Sequence, residues 1–162
     1  MGVVLSMTEL LPAMPADARE LASVLRPEDR AEVLALLGPV DPVEGSADGL
    51  LQGLASSREA WTARDDAGRI ICMAGVSPLS LIGSTGVPWL LGSDLVTVHR
   101  RAFMVESRRL VAHWLTLYDA LRNVVDARYA AAIRWLRWLG FEIGPPFAQT
   151  HGLFRRVSKE VT

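Results

Sequence analysis

Few side chains in this sequence combine the type and spacing that chemistry requires, and the first is a carboxylate. Asp126 closes the apolar run "LRNVVDA" (121–127) and is followed two residues on by Arg128. At a strand end such a carboxylate can serve as a general base. Beside an arginine it can equally serve as a turn cap or half of an ion pair, and the sequence leaves both open. Glu32, within "RPEDRAEVLALLG" (26–38), could also reach a cleft, although the default for a charged residue on a helix is its solvated face. His99, His113 and His151 are scattered, and none stands at metal-ligand spacing with Cys72 or another histidine, so no metal site is expected. His113, beside Trp114 in a helical stretch, reads as structural or surface. Ser93-Asp94 after "WLLG" reads as a helix N-cap and has no neighbouring base to make a nucleophile. There is no Walker-type loop and no G-x-G-x-x-G.

The second feature is the strip "AAIRWLRWLGFEI" (131–143). On a helix, Ile133 and Leu136 share a face, Arg134, Arg137 and Trp138 point elsewhere, and Trp135 and Trp138 are close enough to meet. The strip therefore reads as a buried amphipathic helix with arginines at its rim; a nucleobase-stacking platform is the rival. If it faces a protein partner, Trp138, Arg134 and Arg137 are the contacts expected.

Charge bounds the partners. Residues 1–66 carry 12 acids and 5 bases, residues 67–162 carry 6 acids and 12 bases, and 16 of the 17 bases are arginine. Arginine favours fixed, bidentate pairs. The two halves either pair with each other within one domain or leave a basic face for phosphate, CoA or nucleic acid. A formal net charge of −1 argues against general nucleic-acid binding.

These residues need elements to position them. Half of the 162 residues are hydrophobic, enough for one core, and no repeat or linker divides the chain. The patterning predicts a strand at 7–11, helices at 15–25 and 26–38, a loop over 38–45 and a weak helix from Ser46. A hairpin follows, with strands 59–64 and 69–76 around Asp65–Gly68. Then come a turn at 83–86, a strand at 87–92, a helix at 101–118, a strand at 121–127 and a helix at 129–140 stopped by Gly140. The chain closes with strands 141–144 and 152–157, separated by a break at 145–147. That order is an α+β plan with helices packed on a mainly antiparallel sheet. No apolar stretch is long enough to span a membrane. The N-terminus lacks the basic start of a signal peptide, and Cys72, in "RIICMAGV", reads as a small core residue. These features suit a reducing cytoplasm.

The closing segment, "NVVDARYAAAIRWLRWLGFEI", resembles the end of a GCN5-related N-acetyltransferase (GNAT) domain, where the pattern is close to V-x-x-x-N-x-x-A-x-x-L-Y-x-x-x-G-F. Together with "LRPEDRAEV", "SREAWTARDDAGRIICMAGVSP", "GVPWLLGSD" and "RAFMVESRRLV", it is similar to GNAT-like proteins of short-tailed phages, including the internal virion protein A type, over about residues 8–157. The resemblance implies a single domain over 1–162 with a central, mostly antiparallel twisted sheet flanked by helices on both faces. It implies an acetyl-CoA loop of the form Q/R-x-x-G-x-G/A, whose backbone N–H groups cradle pyrophosphate. Here that stretch is "LLGSDLVTVHRRAF", with the single glycine Gly92. Leu91, Gly92 and Ser93 are then the donor-binding candidates, with His99, Arg100 and Arg101 supplying charge. Counting back from Gly140, the family asparagine falls on Tyr129 and the tyrosine that protonates the leaving thiolate falls on Leu136, which cannot act as an acid. Tyr129 is the substitute candidate for that role, and Asp126, at the sheet's open edge, is the candidate base.

Three functions follow. The leading expectation is a phage virion-assembly or structural protein without ordinary acetyltransferase activity. It would need no cofactor, would act through contacts with other virion proteins or with itself, and would be found in the host cytoplasm during assembly or in the virion. The alternative is an active N-acyltransferase using acetyl-CoA on a small amine or a protein. The third is a nucleic-acid-binding module built on the basic C-terminal half.

Overall fold

The computed structural model describes residues 9–149 and 151–162. Its first three helices each begin on a proline: α1 (Pro15–Val24), α2 (Pro27–Leu37) and α3 (Pro42–Ser56). Proline at this position gives up no helical hydrogen bond and arrives with its φ already set. Helix α3 therefore starts at Pro42, inside the expected loop, because Asp41 caps it. The Asp41 carboxylate accepts from the Val43 and Glu44 N–H groups at 3.1 and 2.9 Å. Gly38 stops α2 with φ +89°. The predicted first strand is present as β1 (Glu9–Pro12); its residues 7 and 8 lie outside the described residues.

The hairpin follows as β2 (Glu59–Arg64) and β3 (Ile70–Pro78). The Asp65 carboxylate orders its turn by accepting from the Ala67 and Arg69 N–H groups. Strand β4 (Thr85–Gly92) completes the antiparallel meander. Gly86, expected in a turn, is a strand residue: a Cβ there would lie 2.6 Å from the Tyr118 ring. A single helical turn, α4 (Leu95–Val98), leads into the long α5 (Arg100–Leu117), then β5 (Ala120–Asp126) and α6 (Ala130–Trp138). Helix α6 ends where expected: Gly140 sits at φ +93°, and the Phe141 N–H reaches back to the Leu136 carbonyl at 3.0 Å.

The last two strands are β6 (Glu142–Gln149) and β7 (Gly152–Glu160). The expected break at 145–147 is a register shift between Ile143 and Pro146 within β6. Strand β6 lies at the sheet edge, where a proline's missing N–H removes no ladder bond.

All seven strands form one sheet in the order β1-β2-β3-β4-β5-β7-β6, antiparallel except between β4 and β5. Both faces are covered. Met73 packs with Leu21 of α1 and Leu50 of α3 on one side, while Ala74 and Val76 pack with Val111 and Trp114 of α5 and Ile133 of α6 on the other. Residues 70–76 are consequently buried without interruption, as expected for a strand sandwiched between layers. Cys72 lies in this run, and burial pushes its thiol up to about 12, so it stays a protonated core residue. No helix among the described residues is long and apolar enough to cross a membrane.

Candidate active site in the splayed sheet

Strands β4 and β5 pair for only two residue pairs, Thr85 with Ala120 and Gly86 with Leu121, and then diverge. Pro88 helps explain why. Its carbonyl accepts from the Asn123 Nδ2 at 2.6 Å, so the β4 edge at Pro88 faces β5. Its nitrogen, which has no proton to donate, faces the same way. Asn123 also accepts from the Val124 N–H at 2.7 Å, standing in for the missing strand contact. Gly92 turns its N–H and C=O to this same side, towards Asp29 and Arg26. By strand alternation so does Leu90, whose backbone N–H and C=O face the gap. A cleft of about 890 Å³ passes through the splay, bounded by α2 and α3 on one side and by α5 and α6 on the other. That volume is in the range of small-molecule sites.

The chemistry of this cleft comes from α2. Asp29 is 2 % exposed, and its Oδ2 accepts from the Arg26 Nε at 2.8 Å and the Gly92 N–H at 2.7 Å. The Tyr129 phenol lies beside it. Burial pushes the Asp29 carboxyl up, and the Arg26 guanidinium opposes that rise. Burial and the neighbouring Asp29 push the Tyr129 phenol strongly up, so it keeps its proton and makes a poor acid. One turn further along α2, Glu32 lines the cleft, and its Oε2 accepts from the Asp126 N–H at 2.9 Å. Burial raises the Glu32 carboxyl to about 7; the Asp126 N–H opposes this, and the Asp29 and Asp126 charges add to it. A carboxyl near neutrality is suited to taking and returning a proton at physiological pH.

The structure distributes the predicted residues unevenly. Asp126 is buried at the end of β5, but Arg128 grips both of its oxygens at 3.0 and 2.7 Å and holds it below the usual carboxylate range. It is an ion-paired cap that presents its N–H to Glu32, and this makes it a poor base. Tyr129 lines the cleft, with the Arg26 guanidinium 5.8 Å from the centre of its ring. Leu91 and Arg100 also line the cleft, and Arg101 is exposed on α5. Gly92 serves packing: a Cβ there would sit 2.6 Å from Val96 Cγ2. Ser93 is buried with its Oγ on the Ile70 carbonyl at 2.8 Å. His99 is buried with Nε2 3.8 Å from Asp65 Oδ2, on the hairpin turn. The N–H groups of Ser93, Leu95, Val96, Thr97 and His99 are all engaged within the protein, because the segment is wound into α4. It is not an open cradle for phosphate.

On α6, Trp135 and Trp138 each take a partner on α5. Trp135 stacks near Phe103 at 5.4 Å and donates to the Ser107 Oγ at 3.1 Å, while the Arg108 guanidinium lies 3.8 Å over the Trp138 ring. Trp138, 41 % exposed, and Arg134 sit at the mouth of the cleft; Arg137 is exposed in the last turn. Leu136 lines the cleft where the resemblance places a tyrosine. His113 lies 3.0 Å from Glu59 and His151 packs against Gly38, far apart in the fold. Among the described residues no three His, Cys, Asp or Glu side chains group to hold a metal.

Glu32 is the residue that sequence reasoning set aside as solvated. The available signal was that Asp29 and Glu32, three apart, fall on the side of α2 that carries the buried Val33.

No protein-family model matches the chain, and no curated protein matches it by sequence. Solved structures do match. A phosphinothricin acetyltransferase from Sinorhizobium meliloti, in complex with AcCoA, superposes with a TM-score of 0.67 at 17 % identity, over 94 % of this chain and 88 % of that one. A spermidine N-acetyltransferase from Vibrio cholerae, in complex with CoA and spermine, gives 0.65 at 10 % identity, over 94 % of each chain. A protein of Streptococcus mutans UA159 gives 0.65 at 14 % identity, over 94 % and 99 %. At these identities the likeness establishes the architecture, and the chain has the GCN5-related N-acetyltransferase fold.

Proposed function

We propose that this protein is an N-acyltransferase that moves an acyl group from a thioester donor to an amine, with Glu32 as the general base. The observation that carries this is the cleft through the sheet with Glu32 at its wall, one oxygen fixed by the Asp126 N–H and no other protein donor on the carboxylate among the described residues. Neighbours of the same fold were solved with AcCoA and with CoA and spermine, which supports a thioester donor. The fit of acetyl-CoA is divided. The Leu90 backbone groups suit the amides of a pantetheine arm, whereas the N–H groups of Ser93, Leu95, Val96, Thr97 and His99 are engaged; Arg100 and Arg134 line the cleft as cations beside Arg26, which Asp29 holds.

In this reading Glu32 takes a proton from the bound ammonium. The freed nitrogen forms a bond to the thioester carbonyl carbon and the C–S bond breaks. Glu32 then returns its proton to the departing sulfur and, ionised again, takes the second proton from the acylated nitrogen and passes it to water, so no separate acid at Leu136 or Tyr129 is required. The experiment is acetyl-CoA turnover on a panel of primary amines, wild type against Glu32→Gln. Turnover that falls by about 10²-fold or more supports the assignment; equal turnover in both removes Glu32, and no thioester consumption on any amine removes the reaction.

A second reading keeps the fold without its reaction: a virion-assembly protein of a short-tailed phage that works by contact in the host cytoplasm or the particle. Two observations favour it. The loop N–H groups are engaged, and the β3–β4 loop leaves Leu81 at 104 % and Ile82 at 89 % exposure. Co-purification with virion proteins that is lost in Leu81→Ser/Ile82→Ser supports it; retention in that variant argues against it.

A further inference from the structure

The two halves of the cleft differ in a way that selects the amine. On the α2–α3 side the walls are Leu36, Leu37, Gly49 and Gly53, and the Trp89 indole lies across Gly53 and Gly75. Only two acids line the whole cleft among the described residues, Asp29 and Glu32. Asp29 is already held by Arg26 and the Gly92 N–H. Glu32 is therefore the one seat for a cation, and everything outward of it on this side is apolar apart from Gln52 and Ser56.

The α3 glycines carry a second message. Glycine inside a helix costs about 1 kcal/mol relative to alanine. At Gly45 packing demands it, since a Cβ would lie 2.4 Å from Val40 Cγ2. At Gly49 and Gly53 it does not: a Cβ would meet its nearest neighbours at 3.8 and 3.5 Å, ordinary contact distances. Both line the cleft, so what their missing side chains preserve is its width.

We infer that the acceptor is a monoamine with an apolar body, its single ammonium at Glu32 and its alkyl or aryl part along Leu36, Leu37 and Trp89. A polyamine would place its second ammonium against leucine side chains with no acid to meet it, an uncompensated desolvation. What becomes of the amine rests on the acyl-transfer reading above; how it binds does not.

The test is calorimetric binding at pH 8 of the n-alkylamines from propylamine to hexylamine, and of spermidine, to the wild type and to Gly53→Leu. Affinity is expected to rise about fourfold per methylene, the equivalent of burying one CH₂. Spermidine should bind at least tenfold more weakly than hexylamine. Gly53→Leu, which puts a better helix former in α3, should keep the melting temperature and lose the gain for the longer amines. A flat series, tighter spermidine binding, or a series unchanged in Gly53→Leu overturns the inference. Turnover of the same amines with acetyl-CoA separates the two proposals. A binding series without turnover leaves the pocket and removes the reaction; turnover that favours spermidine does the reverse.

Discussion

Replacing Glu32 by glutamine should stabilise the fold, and chiefly at high pH. The side chain keeps its shape, and the amide oxygen can still accept the Asp126 N–H now held at 2.9 Å. What changes is the charge. The carboxyl carries an ordinary value of 4.5 in the unfolded chain and about 7 in the fold, raised chiefly by burial, with Asp29 and Asp126 adding to it and Arg26 opposing. Because the folded value is the higher one, the folded state binds the proton more tightly. Wild-type stability is then fully present below the unfolded value and is lost as pH rises through the folded one. At pH 8 the ionised group costs the fold about 3 kcal/mol, and at pH 5 about 1 kcal/mol or less. The stronger hydrogen bond to the ionised acceptor is already contained in that shift, since the Asp126 N–H lowers the value. Urea unfolding should therefore show Glu32→Gln more stable than wild type by about 3 kcal/mol at pH 8, a midpoint shift of about 1–2 M, and by about 1 kcal/mol or less at pH 5. A difference that does not change between pH 5 and pH 8 would refute the reasoning, because it would mean that Glu32 titrates as a solvated side chain.

Four further outcomes are expected. In the wild type, kcat/KM for amine acylation should rise with pH along a limb centred near 7 as Glu32 loses its proton; a limb below pH 5 would point to another base. Asp29→Ala should lower unfolding free energy by about 3 kcal/mol, since it strands the Arg26 cation and the Gly92 N–H; a loss under 1 kcal/mol in denaturant titration would contradict the buried anchor. Gly75→Ala should cost about 1–3 kcal/mol and alter tryptophan fluorescence, because its Cβ would lie 2.7 Å from the Trp89 ring. Leu81→Ser and Ile82→Ser should leave the thermal midpoint unchanged, as expected for fully exposed positions; a fall in the midpoint would show that the loop packs on something.

Local signals in the sequence identify most elements. Pro27, the stops at Gly38 and Gly140, and the Asp65–Gly68 turn act within a few residues, so they act on the chain before it folds. The start of α3 departs from the expected Ser46 through a local cap, Asp41 before Pro42; at the other departures a distant partner decided. The proline pair in β6 is tolerated because that strand is at the edge, and Gly86 belongs to a strand because Tyr118 packs on it. The same division runs through the site. The missing glycines after Gly92 and the leucine at 136 are visible in the letters; that the stretch after Gly92 winds into α4 is not, and only the structure shows it.

The sequence by itself determined the order of elements, the core strand around Cys72 and the departure from an open phosphate loop, because each follows from residue type and near neighbours. Only the tertiary structure decided which carboxyl is raised towards neutrality. Asp126 and Glu32 look alike as letters. Folding sets Arg128 against one, holding it ionised, and carries the other, from a helix 94 positions earlier, into an apolar cleft beside the Asp126 N–H. A carboxyl's proton affinity depends on the charges and water around it, and those are supplied by the packing of α2 against the parted strands.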